Sequence, residues 1–69
     1  MTKKEIQAKI ENLEAHYSGV KRISGGYVVA KNIKINKKKD IAEATIHIFW
    51  GDEGKEEIYR NCEYKLSKL

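Results

Sequence analysis

The side chains that could act as nucleophiles or soft metal ligands are few: one cysteine, Cys62, and two histidines, His16 and His47. A cysteine beside a histidine can form a nucleophilic pair, and three or four converging ligands can hold zinc. The three residues are far apart in the sequence, and the strand pattern described below puts Cys62 and His47 on opposite faces of a sheet. We therefore expect no catalytic pair, no metal site and no cofactor, with Cys62 a small buried hydrophobic residue.

Carboxylates and glycines are also poorly placed for catalysis. The pairs Asp52-Glu53 and Glu56-Glu57 lie in or beside a glycine-containing loop, with no apolar neighbours to favour general acid–base chemistry. Neither Gly25-Gly26 nor the segment 51–55 opens a helix whose N-terminus could hold a phosphate. The sequence indicates a protein that is not an enzyme.

Length and composition exclude further classes of protein. A chain of 69 residues is expected to form one domain, 1–69, too short for a dinucleotide-binding fold or a barrel enzyme. It has no apolar run of about 18 residues that could cross a membrane, and the residues after Met1 do not form the apolar core of a signal peptide. We expect a cytoplasmic protein that does not bind membranes. Because one cysteine cannot form an intramolecular disulfide, a homodimer or another partner is a plausible source of stability.

The first element that must position these side chains is a helix. Thr2 and Glu5 have the T-x-x-E spacing of a capping box. An apolar stripe with spacings of four, three and four follows, and its members are Ile6, Ile10, Leu13 and Tyr17. Such a stripe is typical of the buried face of a helix, and glycine at position 19 can adopt the left-handed conformation that ends one. The pattern predicts a helix over residues 3–17.

After Gly19 the apolar residues alternate, which predicts β-strands. The expected strands are 20–23, 27–36, 41–50 and 57–66, with turns at 24–26 and 37–40 and a loop at 51–55. Short connections favour antiparallel pairing of consecutive strands. The predicted fold is therefore α+β, with one N-terminal helix packed on a four-stranded antiparallel meander sheet (αββββ).

Strand register decides which side chains face the helix. Pairing Ile35 with Ala42 and Trp50 with Ile58 puts most large apolar side chains on one face. The predicted core face is Tyr27, Val29, Ile33, Ile35, Ala42, Ala44, Ile46, Ile48, Trp50, Ile58, Cys62, Tyr64 and Leu66. The same pairing sets Glu43 beside Lys34 and Lys65. The rival register of the last hairpin puts Glu43 opposite Glu63, a like-charge pair that is unfavourable.

Lys31 and Arg60 also fall on the predicted core face. One interpretation is that their long stems reach solvent or pair with Glu11 or Glu14. The other is that they form a cationic pocket inside the curl of the sheet.

Two surface features suggest a partner. The face without helix cover is predicted to carry Val28, His47, Phe49, Tyr59 and Asn61, beside Ala30, Asn32 and Thr45, and adjacent exposed aromatics suggest an interface. Residues 19–39 contain seven basic residues and no acidic one, which predicts a basic edge made of Lys21, Arg22, Lys31, Lys34, Lys37, Lys38 and Lys39. Such an edge suits nucleic acid or an acidic protein surface, although lysines on edge strands also serve only to block aggregation.

The predicted arrangement resembles a reduced cystatin or monellin fold without the inhibitor hairpin motif, and a double-stranded-RNA-binding domain without its second helix. The size, the Lys- and Ile-rich composition and the lack of catalytic groups are similar to the small anti-CRISPR-like inhibitors that phages and mobile elements direct against host nucleases. This resemblance implies a non-enzymatic inhibitor or accessory factor that docks on a nucleic-acid-handling complex. The alternative is a domain that binds nucleic acid directly through the basic edge and the aromatic sheet face.

Overall fold

The fold combines one long helix with an antiparallel sheet. A computed structural model describes the backbone of residues 2–51 and 55–69 and the side chains of residues 2–51 and 60–69. The elements are α1 (Lys3–Ser18), α2 (Val20–Ser24), β1 (Tyr27–Asn36), β2 (Ile41–Trp50), β3 (Lys55–Lys65) and a final 3₁₀ turn, Leu66–Lys68. The strands are antiparallel in the order β1-β2-β3. The predicted α+β class is confirmed, but within residues 2–51 and 55–69 the sheet has three strands instead of the predicted four.

Helix α1 begins at Lys3, as predicted, and ends at Ser18, one residue beyond the predicted end. The Thr2 hydroxyl oxygen accepts a hydrogen bond from the Glu5 amide at 3.2 Å and donates to the Glu5 carboxylate at 3.2 Å. At the other end Gly19 is left-handed, with φ of 70°, and its amide donates to Ala15 O at 3.1 Å. The local capping chemistry therefore sets both ends of the helix.

The buried face of α1 differs from the predicted stripe. Ile6 and Ile10 are buried, but Tyr17 is 74% exposed, and Glu14 is buried instead. Ile6, Ile10 and Glu14 follow one another at intervals of four, so they form one line along the helix that turns away from Tyr17. The carboxylate on this line is tolerated because β3 supplies hydrogen-bond donors to it, as described below.

The predicted strand at 20–23 is wrong, because these residues form the short helix α2. Gly19 and Gly25, each with φ of 70°, flank this helix. The Ile23 amide donates to Gly19 O at 2.9 Å and the Gly25 amide donates to Lys21 O at 3.1 Å. Four residues are too few to distinguish a strand from a helical turn by alternation, and the two left-handed glycines favour the turn.

A β-bulge divides β1 into two halves of opposite phase. The predicted pairs Ile35–Ala42 and Lys34–Glu43 are confirmed, but the register shifts between Lys31 and Lys34, where Asn32 has φ of 54°. Asparagine tolerates this left-handed conformation better than most residues, so it can occupy a bulge.

Because of the bulge, the predicted faces of Tyr27, Val28, Val29 and Lys31 are wrong. In the first half of β1, Val28 and Ala30 face the core and are 7% and 1% exposed, whereas Tyr27 and Val29 lie on the other face. Tyr27 and Val29 are therefore not core residues, and Val28 is not on the face that lacks the helix. The phase change also turns Lys31 off the core face, which leaves it exposed.

The β2–β3 hairpin adopts the rival register, with Glu43 opposite Glu63 and Ala44 opposite Cys62. The predicted register, with Trp50 opposite Ile58, is therefore wrong by two residues. Because side chains alternate with a period of two, this shift leaves each side chain on its predicted face. A like-charge pair in water costs only a fraction of a kcal/mol, roughly 0.2–1. Two hydrogen bonds formed in this register offset that cost: Arg60 donates to Glu14, and the Leu66 amide donates to Asp40 O at 2.9 Å.

The core lies between the sheet and the two helices. Its buried members are Ile6, Ile10, Ala15, Val20, Val28, Ala30, Ile33, Ala42, Ala44, Ile46 and Ile48. Partly buried side chains that pack against it are Ile35, Trp50, Cys62, Tyr64, Leu66 and Leu69. The predicted inward phase is thus confirmed for β2 and for the described side chains of β3, while the side chain of Ile58 lies outside the described part.

Candidate functional site

The helices leave one face of the sheet uncovered. We name it the outer face, and its described members are Tyr27, Val29, Lys31, Lys34 and Asn36 of β1, Ile41, Glu43, Thr45, His47 and Phe49 of β2, and Asn61, Glu63 and Lys65 of β3. The Cα pairing assigns these residues to the face, because they alternate with core residues that are buried in β1 and β2 and partly buried in β3. This face is the candidate docking surface.

An aromatic pair marks the end of the outer face nearest α2. Tyr27 and Phe49 are opposite one another in the β1–β2 ladder, and their rings stack with centroids 5.0 Å apart at an angle of 16°. Tyr27 is 53% exposed and Phe49 is half-buried. Strand alternation does not predict this pair, because it places Tyr27 in the core, and the one sequence signal for it is the asparagine in the middle of β1.

The central strand is less accessible than its position on the outer face suggests. His47 and Thr45 are only 7% and 6% exposed. Thr45 donates its hydroxyl to Asn61 Oδ1 at 2.8 Å, and His47 is opposite Val29 and Tyr59 in the ladders. The predicted exposure of His47 is therefore wrong, because this residue lies on the central strand of the sheet, between β1 and β3. Asn61 is exposed as predicted, and the side chain of Tyr59 lies outside the described part.

The other end of the outer face carries charges of both signs. Lys34, Glu43 and Glu63 follow one another across the three strands. Together with Asn32, Thr45 and Asn61 they line a shallow hollow. Lys34 is opposite Glu43, so a cation flanks the like-charge glutamate pair. The outer face therefore changes from aromatic at one end to mixed charge at the other.

The seven basic residues do not form one edge. All seven are exposed, but Lys21 and Arg22 lie on α2, before β1 begins, and Lys37–Lys39 lie in the turn after it ends. A ten-residue strand is about 33 Å long, so these two groups lie at opposite ends of β1. Lys31 and Lys34 lie between them on the outer face. The prediction of a continuous basic edge fails because residues 20–23 are not a strand.

The inner side of the sheet contains a polar cluster that ties α1 to β3. The Glu14 carboxylate, 5% exposed, accepts a 2.6 Å hydrogen bond from the Tyr64 hydroxyl and a 3.0 Å bond from Arg60 Nη2. Burial and the bond to Glu14 raise the pKa of Tyr64, and the hydrogen bond to Glu14 raises the pKa of Arg60. The interpretation that Arg60 pairs with Glu14 is confirmed. Each carboxylate oxygen of Glu14 accepts one of these bonds, which offsets part of the cost of burying the carboxylate.

Cys62 and His47 lie on opposite faces of the sheet, as predicted. Cys62 is half-buried and packs against the core, less buried than the sequence suggested. Among the described residues, no three His, Cys, Asp or Glu side chains converge as a metal site requires. None of the described helices is long and apolar enough to cross a membrane. Comparisons of the chain with protein-family models, curated proteins and solved structures gave no match.

Proposed function

We propose that this protein is a non-enzymatic binding module that docks its outer face on a larger protein. The observation that carries this proposal is the stacked pair of Tyr27 and Phe49, which exposes aromatic surface on a sheet face without helix cover. Tyrosine is enriched in protein interfaces because it offers a large apolar ring with few rotatable bonds and a polar tip. An exposed aromatic on a flat sheet is therefore a suitable anchor.

The charge pattern of the outer face favours a protein partner. The residues beyond the aromatic pair include Lys31 and Lys34 but also Glu43 and Glu63. A nucleic acid carries phosphates at regular intervals and would meet these carboxylates unfavourably. A protein surface can match charges of both signs around an aromatic centre, which is the usual arrangement of an interface with a polar rim.

The specific role we propose is that of an inhibitor or accessory factor of a nucleic-acid-handling complex. Such a role requires a stable surface that blocks or bridges a larger machine, and it requires no catalytic group of its own. The outer face meets the first requirement, because its central residues Thr45 and His47 are held within the sheet and Thr45 is fixed by Asn61.

Affinity capture from a host lysate tests the proposal with a matched pair of tyrosines. Tyr27 lies on the outer face, whereas Tyr17 is 74% exposed on α1. Immobilised wild-type protein and the Tyr17→Ala variant are expected to capture the same protein partner, and Tyr27→Ala is expected to lose it while it keeps the wild-type circular dichroism spectrum. Equal capture by Tyr27→Ala and Tyr17→Ala would reject the outer face as the docking surface.

Direct binding of nucleic acid is the second candidate, and a specific group of lysines favours it. Lys3 of α1 and Lys31 and Lys34 of β1 line a cleft at the N-terminal end of α1, beside Gln7 and Asn32. Electrophoretic mobility shifts with single-stranded DNA and RNA at increasing salt distinguish the candidates. Saturable binding that persists at physiological salt supports nucleic acid as the ligand, whereas a shift confined to low salt reflects generic charge.

A further inference from the structure

The two edges of the sheet differ in how their main-chain groups are satisfied. β1 and β3 are the outer strands, so in the described part of the chain each has one side without a neighbouring strand. An unpaired strand edge offers a row of N–H and C=O groups that can pair with another strand, and proteins usually block such edges.

The β1 edge is blocked by side chains of α1. Gln7 Nε2 donates to Ala30 O at 3.0 Å, and the Ala30 amide donates to Glu11 Oε2 at 3.0 Å. Both main-chain groups of Ala30 are thus occupied by the helix. The bulge at Asn32 then interrupts the edge, and bulges are a recognised means of preventing further strand pairing.

The same two hydrogen bonds establish which groups of β3 point outward. Both main-chain groups of Ala30 point away from β2, so Ala30 and Ile46 are opposite each other without mutual hydrogen bonds. The main-chain groups of Ile46 therefore point toward β3, where Ile46 is opposite Arg60. Alternation along β3 then directs the main-chain groups of Cys62 and Tyr64 toward β2 and those of Asn61, Glu63 and Lys65 away from the sheet. Leu66 lies two residues after Tyr64, so its amide is also expected to point toward β2, and it donates to Asp40 O directly before that strand.

A second observation concerns the inner face beside the same edge. Cys62, Tyr64 and Leu66 pack against the core but remain half-exposed, whereas Val28, Ala30 and Ile33 of β1 are buried. The difference arises because α1 packs mainly on β1. The open edge of β3 is therefore accompanied by apolar side chains that further burial would stabilise.

We propose that β3 pairs antiparallel with β3 of a second copy of this chain, about a two-fold axis at Cys62, to form a continuous six-stranded sheet. In this register no two like charges lie opposite each other within residues 59–65 of the two copies. The register sets Asn61 opposite Glu63 of the other copy, so an amide meets a carboxylate twice, and it places the half-exposed Cys62, Tyr64 and Leu66 of both copies along one inner face. A two-fold axis at Glu63 would instead set two carboxylates opposite each other, which is unfavourable.

The first test removes one outward-pointing donor without changing a side chain. The octapeptide of residues 62–69 begins with cysteine, so it can be joined chemically to residues 1–61 with an N-methyl group on Glu63. Analytical ultracentrifugation from about 1 µM to 1 mM is expected to show a dimer for the unmethylated ligated protein, and a dimer weakened by roughly 30-fold after methylation, the equivalent of two hydrogen bonds per dimer.

Two results of this experiment would overturn the proposal. A protein that is monomeric over the whole range does not pair through β3, and a dimer whose dissociation constant is unchanged by methylation uses another surface. Circular dichroism of the methylated protein establishes that it remains folded, which is expected because the Glu63 amide points away from β2.

Cysteine cross-linking tests the register. In the proposed dimer the two Cys62 residues are opposite each other at a pair without mutual hydrogen bonds, where Cα atoms are about 4.5 Å apart, a separation that a disulfide can span. Mild oxidation with copper phenanthroline is expected to cross-link the wild type faster than a Tyr17→Cys, Cys62→Ser control, which measures chance collisions. Equal rates in the two proteins would reject the axis at Cys62. These experiments require no outside partner, so their failure would leave the proposed function of the outer face intact.

Discussion

The Tyr64 hydroxyl of β3 donates a 2.6 Å hydrogen bond to the buried carboxylate of Glu14 in α1. Arg60 donates to the second carboxylate oxygen at 3.0 Å. Since α1 packs mainly on β1, these two bonds are a link between the helix and the far strand of the sheet. A buried carboxylate that loses a donor retains its desolvation cost, so this link should matter for stability.

Replacing Tyr64 with phenylalanine should lower the free energy of unfolding by about 1–3 kcal/mol, because one oxygen of Glu14 loses its donor while the ring is kept. Urea denaturation monitored by circular dichroism measures the change. Tyr17→Phe is the matched control, since Tyr17 is largely exposed, and it should have no measurable effect. A Tyr64→Phe variant as stable as the wild type would contradict a stabilising role for this bond.

The pKa of Tyr64 is raised by burial and by its bond to Glu14, which predicts a loss of stability in alkali. The unfolded chain releases the phenol proton above pH about 10, whereas the folded protein retains it, so the contribution is complete below that pH and declines above it. Urea denaturation of wild type and Tyr64→Phe between pH 8 and 11 measures the effect. The stability difference between the two proteins should shrink above pH about 10, and a constant difference would refute the raised pKa.

Local sequence signals predicted much of the fold. The T-x-x-E box and Gly19 act within a few residues of the helix ends, and the alternation in β2 is long enough to establish its phase. The wrong predictions depend on tertiary contacts. The like-charge pair of Glu43 and Glu63 is tolerated because this register supplies donors to Glu14, and that gain involves residues some 50 positions apart.

The candidate site was predicted only in part, and one residue explains most of the difference. The outer position of Phe49 follows from the alternation of β2, but Tyr27 reaches the same face only because the bulge at Asn32 reverses the phase of β1. Alternation counted through a bulge assigns every residue before it to the wrong face. Nothing in the apolar pattern marks this bulge. Asparagine tolerates a left-handed backbone conformation, but an asparagine alone is weak evidence for a bulge.

The bulge itself can be tested by substitution at Asn32. Valine should destabilise the protein by about 1–3 kcal/mol, because a β-branched residue is strained at the observed φ of 54°. Glycine adopts this conformation without strain, so Asn32→Gly should stay close to wild-type stability. Thermal and urea unfolding of both variants provide the comparison. Equal stability of the valine and glycine variants would mean that Asn32 is not left-handed in solution.

The stacked pair predicts coupled effects on partner binding. Tyr27→Ala should weaken binding by about 2 kcal/mol, roughly 30-fold, if Tyr27 is the anchor. Phe49→Leu keeps an apolar side chain beneath it but removes the stacked ring, so a smaller loss is expected. The double variant should lose less binding free energy than the two single variants lose together, because the second substitution removes a ring contact that the first has already removed. Surface plasmon resonance with the captured partner measures the cycle, and strict additivity would show that the rings act independently.

The separation of the basic residues into two groups predicts a difference in association kinetics. Replacing Lys37, Lys38 and Lys39 with alanine removes three exposed charges at the end of β1 farthest from α2. If these lysines steer the protein toward an acidic partner surface, the association rate should fall at low salt while the dissociation rate stays nearly constant. The matched control is Lys21→Ala with Arg22→Ala, which removes charge at the opposite end of the strand. Stopped-flow measurements over a salt series separate the two groups, because steering is screened as ionic strength rises. A triple variant that changes only the dissociation rate would mean that the turn lysines contact the partner directly and do not guide its approach.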